Sequence, residues 1–182
     1  MNVGINRLIN ESSAAAYRSN SGIKCVFISH QKKDAPICRH IAQYIMSAGI
    51  DVYFDEFDQN LKNYYQQNNP RYVVNSIKSG INNSTHMLCV ISPNTLFSKW
   101  VPWEVGYGYD KTKLSALTLK GIKDNELPEY LKTVEIIRGT KTLNEYISKI
   151  LNTDKIKMFS ERRLINESSS GHPLDSYLDW NA

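Results

Sequence analysis

The chain has 182 residues, 41% of them hydrophobic and 22% charged, with a formal net charge of +4. This length suits one globular domain with a core and short flanking segments. No apolar run approaches the ~20 residues of a membrane span, the first twenty residues hold no signal-peptide core, and the charge is too mild for a nucleic-acid surface; the reading is a cytoplasmic protein with no membrane or nucleic-acid partner.

Residues 1–22 read as an N-terminal extension, with Ile5, Leu8, Ile9 and Ala15 on one face of a short helix. The apolar run 23–28 is short and β-branched, so it reads as a buried strand ended by Ser29-His30. Asp34 and Pro36 open a helix with apolar positions Ile37, Ile41, Tyr44, Ile45 and Ala48, and Gly49 closes it. A second strand covers 50–54. A long polar run, 55–70, follows, and loops of that length are often functional. Val73, Val74, Ile77 and Ile81 mark the next helix, and 87–91 is the third strand. Ser92-Pro93 is a helix-start signal, and the helix that carries Glu104 is expected to begin near Ser98 or Lys99 with Pro102 in its first turn. Strands at 114–119 and 134–137 and a closing helix through Leu143, Tyr146, Ile147, Ile150 and Leu151 complete the domain, 23–151. Residues 152–182 read as a polar C-terminal extension.

Strands alternating with helices predict an α/β fold, a flavodoxin-like five-stranded parallel sheet of order 2-1-3-4-5 with helices on both faces. Ligands in such sheets bind at the C-terminal edge, by the switch point between strands one and three. Ser29-His30 and Ser92-Pro93 end those strands, and Trp100 and Glu104, four apart, share a helix face beside them. Cys25, Cys38 and Cys89 are irregularly spaced without a CxxC, so neither a disulfide nor a metal site is assigned. One oddity stands apart: Arg7-Leu8-Ile9-Asn10-Glu11-Ser12-Ser13 recurs as Arg163-Leu164-Ile165-Asn166-Glu167-Ser168-Ser169.

Cys25-Val26-Phe27-Ile28-Ser29-His30 resembles the first-strand box of Toll/interleukin-1 receptor (TIR) domains. Ser92-Pro93-Asn94 through Ser98-Lys99-Trp100-Val101-Pro102-Trp103-Glu104 resembles their third-strand and following-helix segment, with the Trp-x-x-x-Glu pattern of the enzymatic members. Gly49 to Asp58 lies where those domains carry the second strand and the loop after it, although the usual small-residue turn is replaced by Asp55-Glu56-Phe57-Asp58 and an Asn/Gln/Tyr-rich run. The resemblance covers about residues 23–151. It implies either a scaffold that works by TIR–TIR self-association or an enzyme that cleaves NAD+ as substrate, with no separate cofactor and with Glu104 as the catalytic residue. By further analogy it is similar to the TIR component of Thoeris-type antiphage defence, whose cyclic ADP-ribose-type signal reaches a separate effector protein.

Cleaving nicotinamide from NAD+ needs no general acid, because the leaving group departs neutral. One ionised carboxylate beside the oxocarbenium-like ribose is enough. The early-helix position of Glu104 is expected to favour its ionised form. Trp100 is expected against the nicotinamide or ribose, with Tyr53, Phe54 and Asp55 as the opposite wall. His30 is a further ligand contact, Ser29 a hydroxyl for phosphate, and the 55–70 loop a lid. The rival readings are a non-catalytic TIR adaptor and a nucleoside deoxyribosyltransferase-like enzyme, which also places a Glu at a glycosidic bond.

Overall fold

The computed structural model describes residues 3–8, 21–55, 70–166, 169 and 171–179. Five strands form one sheet: β1 Cys25–Ser29, β2 Asp51–Tyr53, β3 His86–Ile91, β4 Lys113–Thr118 and β5 Glu135–Arg138. Their order is β2-β1-β3-β4-β5, and every neighbouring pair is parallel. The expected flavodoxin-like topology is therefore the observed one. The helices are α1 Ala35–Ser47, α2 Pro70–Asn82, α3 Val101–Gly108, α4 Gly139–Leu151 and α5 Lys155–Ser160.

Side-chain alternation along the strands divides the core in two. Val26, Ile28, Val52, Leu88 and Val90 pack with Ile41 and Ile45 of α1 and with Leu143 and Ile147 of α4. Cys25, Phe27, Tyr53, Met87, Cys89 and Ile91 face the other way, onto Val73, Ile77 and Ile81 of α2 and Val101 and Val105 of α3. Both faces of β1 and β3 are buried, which is why they read as apolar runs. Gly49 closes α1 at φ 91°, and its N–H donates to the Met46 carbonyl over 2.9 Å. That left-handed turn is cheap only for glycine.

The flanking segments depart from the expectation. Ile5 lies on a strap that runs extended beside β2 and Leu8 in the turn that ends it, neither on a helix face; Ile9 and Ala15 lie outside the described residues. The Val52 N–H donates to the Ile5 carbonyl over 2.9 Å, and the Arg7 N–H donates to the Val52 carbonyl over 2.8 Å. The edge of β2 is thereby paired instead of bare. The C-terminal residues are less polar in effect than in composition. Met158, Leu174 and Leu178 are fully buried against the α1 and α4 face, and the Asp179 carbonyl accepts from the Thr140 N–H over 2.7 Å.

The start of the repeated heptapeptide acquires a physical role. Arg7 donates to Asp51, to the Ile23 carbonyl and to the Asn83 carbonyl just past the end of α2, and Leu8 is buried on the α2 and α3 face. Arg163 donates to the Ala48 carbonyl at the end of α1, and Leu164 is buried on the opposite face. Each Arg-Leu pair thus satisfies orphan carbonyls at a helix C-terminus and plugs one side of the core. Positions 9–13 and 167–168 lie outside the described residues.

Candidate functional site

The odd positions of β1 point toward α2 and α3, so Ser29, at the C-terminal end of the strand, faces α3. Glu104 comes down from the first turn of α3 to meet it, and the Ser29 hydroxyl donates to Glu104 Oε2 over 2.5 Å. The helix is placed for this by Ser98, whose Oγ accepts from the N–H groups of Trp100 (3.3 Å) and Val101 (3.2 Å). Pro102 sits in the first turn, as expected, where its missing N–H costs nothing.

Glu104 is 8% exposed. Burial pushes its carboxyl from 4.5 up to about 7; the Ser29 hydrogen bond opposes that rise and the charge of Asp55 adds to it. The expected ionisation through the helix dipole is thus overridden. A dipole contribution of about 0.3–1 kcal/mol is smaller than the cost of removing a carboxylate from water. Cys89 lies next to Ser29 in the sheet register, and burial holds its thiol well above the usual range.

A cavity of about 20 Å³ opens beside the carboxyl, lined by Phe27, Ile28, His30, Tyr53, Asp55 and Glu104. That is room for about one water, against roughly 300–1,000 Å³ in a small-molecule site. His30 and Asp55 form its outer rim. The His30 Nδ1 lies 3.1 Å from the Ile28 carbonyl, so this nitrogen carries the proton, and Nε2 is 3.5 Å from Asp55 Oδ1. The Asp55 side chain is 44% exposed. Tyr53 stacks on Phe27 with ring centroids 5.9 Å apart, and the absence of a side chain at Gly80 makes room for its ring.

Of the residues expected at the site, Glu104, His30, Tyr53 and Asp55 converge on this cavity. Three take other roles. Ser29 is spent on Glu104 and is 1% exposed, so it holds the carboxyl and does not offer a free hydroxyl to phosphate. Phe54 points to the opposite face by strand alternation; it is buried there and supports the His30 ring at 5.0 Å. Trp100 does not line the cavity. It sits at the N-cap of α3, edge-on to Trp103 at 5.9 Å, in a row continued by Trp103 stacked on Tyr107 at 5.7 Å. Trp100 already has helical backbone angles, and its carbonyl accepts from the Glu104 N–H over 2.9 Å, but its indole packs on Trp103 and does not reach the cavity. Beyond Asp55, the expected lid lies outside the described residues up to Pro70.

The switch point itself is occupied by protein. Asp34, expected to cap α1, makes no side-chain cap bond. Its carboxylate instead accepts from Ser92 Oγ (2.5 Å) and Asn94 Nδ2 (2.7 Å), and Ser92 N–H donates to Thr95 Oγ1. This brace ties the start of α1 to the turn that follows β3. The cavity beside Glu104 lies on the β1–β2 side, under α3. Phe27 and Ile28 were not expected at the site, and Asp34 was expected only as a helix cap; the alternation that sends Ser29 toward α3 was the available signal for Phe27.

Among the described residues, no helix is long and apolar enough to cross a membrane and no group of three or more His, Cys, Asp or Glu is placed to hold a metal. A comparison with curated proteins returns no match. The family model for the TIR domain matches residues 26–151, the whole of the sheet bar Cys25 with the helices α1 to α4. The chain belongs to the TIR domain family, whose members act in signalling or cleave NAD+.

Proposed function

We propose that this TIR domain cleaves the nicotinamide–ribose bond of NAD+, with Glu104 as the catalytic carboxylate. The observation that carries the reading is the state of Glu104: a buried carboxyl at the C-terminal edge of a parallel sheet, gripped by one hydroxyl and raised to about 7. A carboxyl kept at such cost to the fold, beside a cleft, is a mark of a chemical site.

The bond from ribose C1′ to the pyridinium nitrogen breaks, and its electron pair leaves with neutral nicotinamide. Positive charge builds on C1′ and the ring oxygen. Glu104 carries a negative charge against it when ionised, and the pyridinium ring of the substrate in this cleft favours that ionised form. His30, Tyr53 and Asp55 are the walls against which the ribose and pyridinium are held. The cleft must widen at this rim to admit a nucleotide. Water at C1′ then yields ADP-ribose; an adenine nitrogen or ribose hydroxyl of the same molecule yields a cyclic product, favoured where water is excluded. The reading extends, on resemblance, to production of such a cyclic signal for a separate effector in antiphage defence, with TIR–TIR contacts assembling the enzyme.

The test is mass spectrometry of NAD+ incubated with concentrated protein beside a Glu104→Gln control. Loss of NAD+ with release of nicotinamide, absent in the control, supports the reading, and the second product's mass separates ADP-ribose from a cyclic form. Absence of turnover both in buffer and in lysate of phage-infected cells would leave the adaptor reading in its place.

A further inference from the structure

We infer that Asn6, on the N-terminal strap, is a positioning residue for the wall of the Glu104 site. The part of this inference that concerns turnover rests on the NAD+ reading above. β2 is only three residues long, and its ladder with β1 ends at Tyr53, paired with Phe27. Alternate residues of a strand turn their N–H and C=O to opposite neighbours. Val52 turns both of its groups to the strap, where Ile5 and Arg7 pair with them. Phe54, two residues on, turns its groups the same way, and there the strap offers a side chain in place of backbone. Asn6 Nδ2 donates to the Phe54 carbonyl over 2.8 Å, and the Phe54 N–H donates to Asn6 Oδ1 over 3.2 Å. One carboxamide thus mimics a peptide unit and carries the sheet one residue further.

That residue stands between the two wall residues. Tyr53 and Asp55 line the cavity on either side of it, and the Phe54 ring supports His30. The strap is a firm base: Arg7 donates to buried Asp51 over 2.9 Å, Gly4 N–H donates to the Met46 carbonyl, and Leu8 is buried. Asn6 itself is 8% exposed. A residue 48 positions away in sequence from Phe54 therefore sets where the rim of the cleft stands.

The test compares Asn6→Ala with Leu8→Ala, which damages the packing of the same strap without touching Phe54. Amide hydrogen exchange is read by NMR, and KM and kcat for NAD+ are read in parallel. Asn6→Ala is expected to speed exchange at Phe54 and Asp55 by about ten-fold or more with β3 and β4 unchanged, since it removes both hydrogen bonds to Phe54 together with the one that Asn6 Oδ1 accepts from the Leu8 N–H. It is expected to raise KM about five- to ten-fold with kcat changed less than about two-fold. Leu8→Ala is expected to do neither selectively. If Asn6→Ala fails to fold, Asn6→Asp replaces it, keeping the acceptor for the Phe54 N–H and losing the donor to its carbonyl. Exchange at 54–55 as in wild type, or loosening spread equally over the sheet in both strap variants, overturns the inference. Should the wild type not cleave NAD+ at all, the NAD+ reading fails, and selective loosening at 54–55 still upholds the positioning role.

Discussion

Replacing Glu104 with Gln should stabilise the protein, and more so as the pH rises. The carboxyl ionises at about 7 in the folded chain against 4.5 when free of the fold. Between those values the unfolded chain has released this proton and the folded chain still holds it, so the folded state binds more protons and its stability falls as pH increases. Over that interval, at about 1.4 kcal/mol per pH unit, the loss approaches about 3 kcal/mol. It is fully incurred above pH 7 and absent below about pH 4.5. A neutral Gln of the same shape never incurs it. Glu104→Gln should therefore melt close to wild type near pH 4.5 and about 6–12 °C above it near pH 8, at about 2–4 °C per kcal/mol for a chain of this size.

His86 contributes an opposite slope. Burial and the charges of Lys113 and Lys24 lower it to about 4, so stability from His86 is lost as pH falls below 6.5. That slope is common to both proteins and drops out of their difference. The measurement is a set of thermal melts of both proteins from pH 4.5 to 8.5. An ordinary first-turn glutamate, ionised and favoured by the helix dipole, gives the opposite sign: Gln would destabilise by about 0.3–1 kcal/mol at pH 8. That result, or a difference that does not vary with pH, would refute the assignment of Glu104 as a strained buried acid.

The same carboxyl sets the expected rate profile. On the proposed NAD+ reading, in which ionised Glu104 stabilises the cationic transition state, kcat/KM should rise with pH and level off above about 7–8, and a rate that falls through pH 7 would contradict this. Ser29→Ala removes the hydrogen bond that favours the ionised form, so the rise should move about one to two pH units higher, read from the same profile. Gly80→Ala would gain up to about 1 kcal/mol in an open helix. Here the new methyl falls 2.5 Å from Tyr53 Cε1, so the expected result is a loss of about 1–3 kcal/mol in a denaturant melt and weaker NAD+ binding; a stabilised variant would show that the Tyr53 ring is not held by this contact.

The sheet was readable because its strands are buried on both faces, so β1, β3 and the intervening helices declare themselves by uninterrupted apolar runs and 3.6-residue spacing, each a property of neighbours in sequence. The flanking segments hid because their role is pairwise and distant. Nothing local in residues 3–8 says that Asn6 will serve as a peptide unit for Phe54, or in 171–179 that Leu174 and Leu178 will close the α1 and α4 face. The site shows the same division. Glu104 was legible from its place after the third strand. What surrounds it follows from which way each strand residue faces at the sheet edge. Ser29 and Tyr53 turn to α3, whereas Phe54 turns away and acts through His30.

Those orientations also explain why the carboxyl is not the dipole-stabilised anion that its place in the helix suggests. The first turn of α3 brings Glu104 near a helix N-terminus, but the odd residues of β1 and β2 enclose it in Phe27, Tyr53 and Ser29, and only one of these donates a hydrogen bond to it. With a single donor among the described residues and nearly complete burial, desolvation wins, and the acid is left near neutrality with its charge unmade. An acid in that state is poised for a cation. On the proposed NAD+ reading, a pyridinium entering past His30 and Asp55 would supply the missing counter-charge, and the oxocarbenium character that develops in place as the bond breaks would meet a carboxylate already ionised by binding.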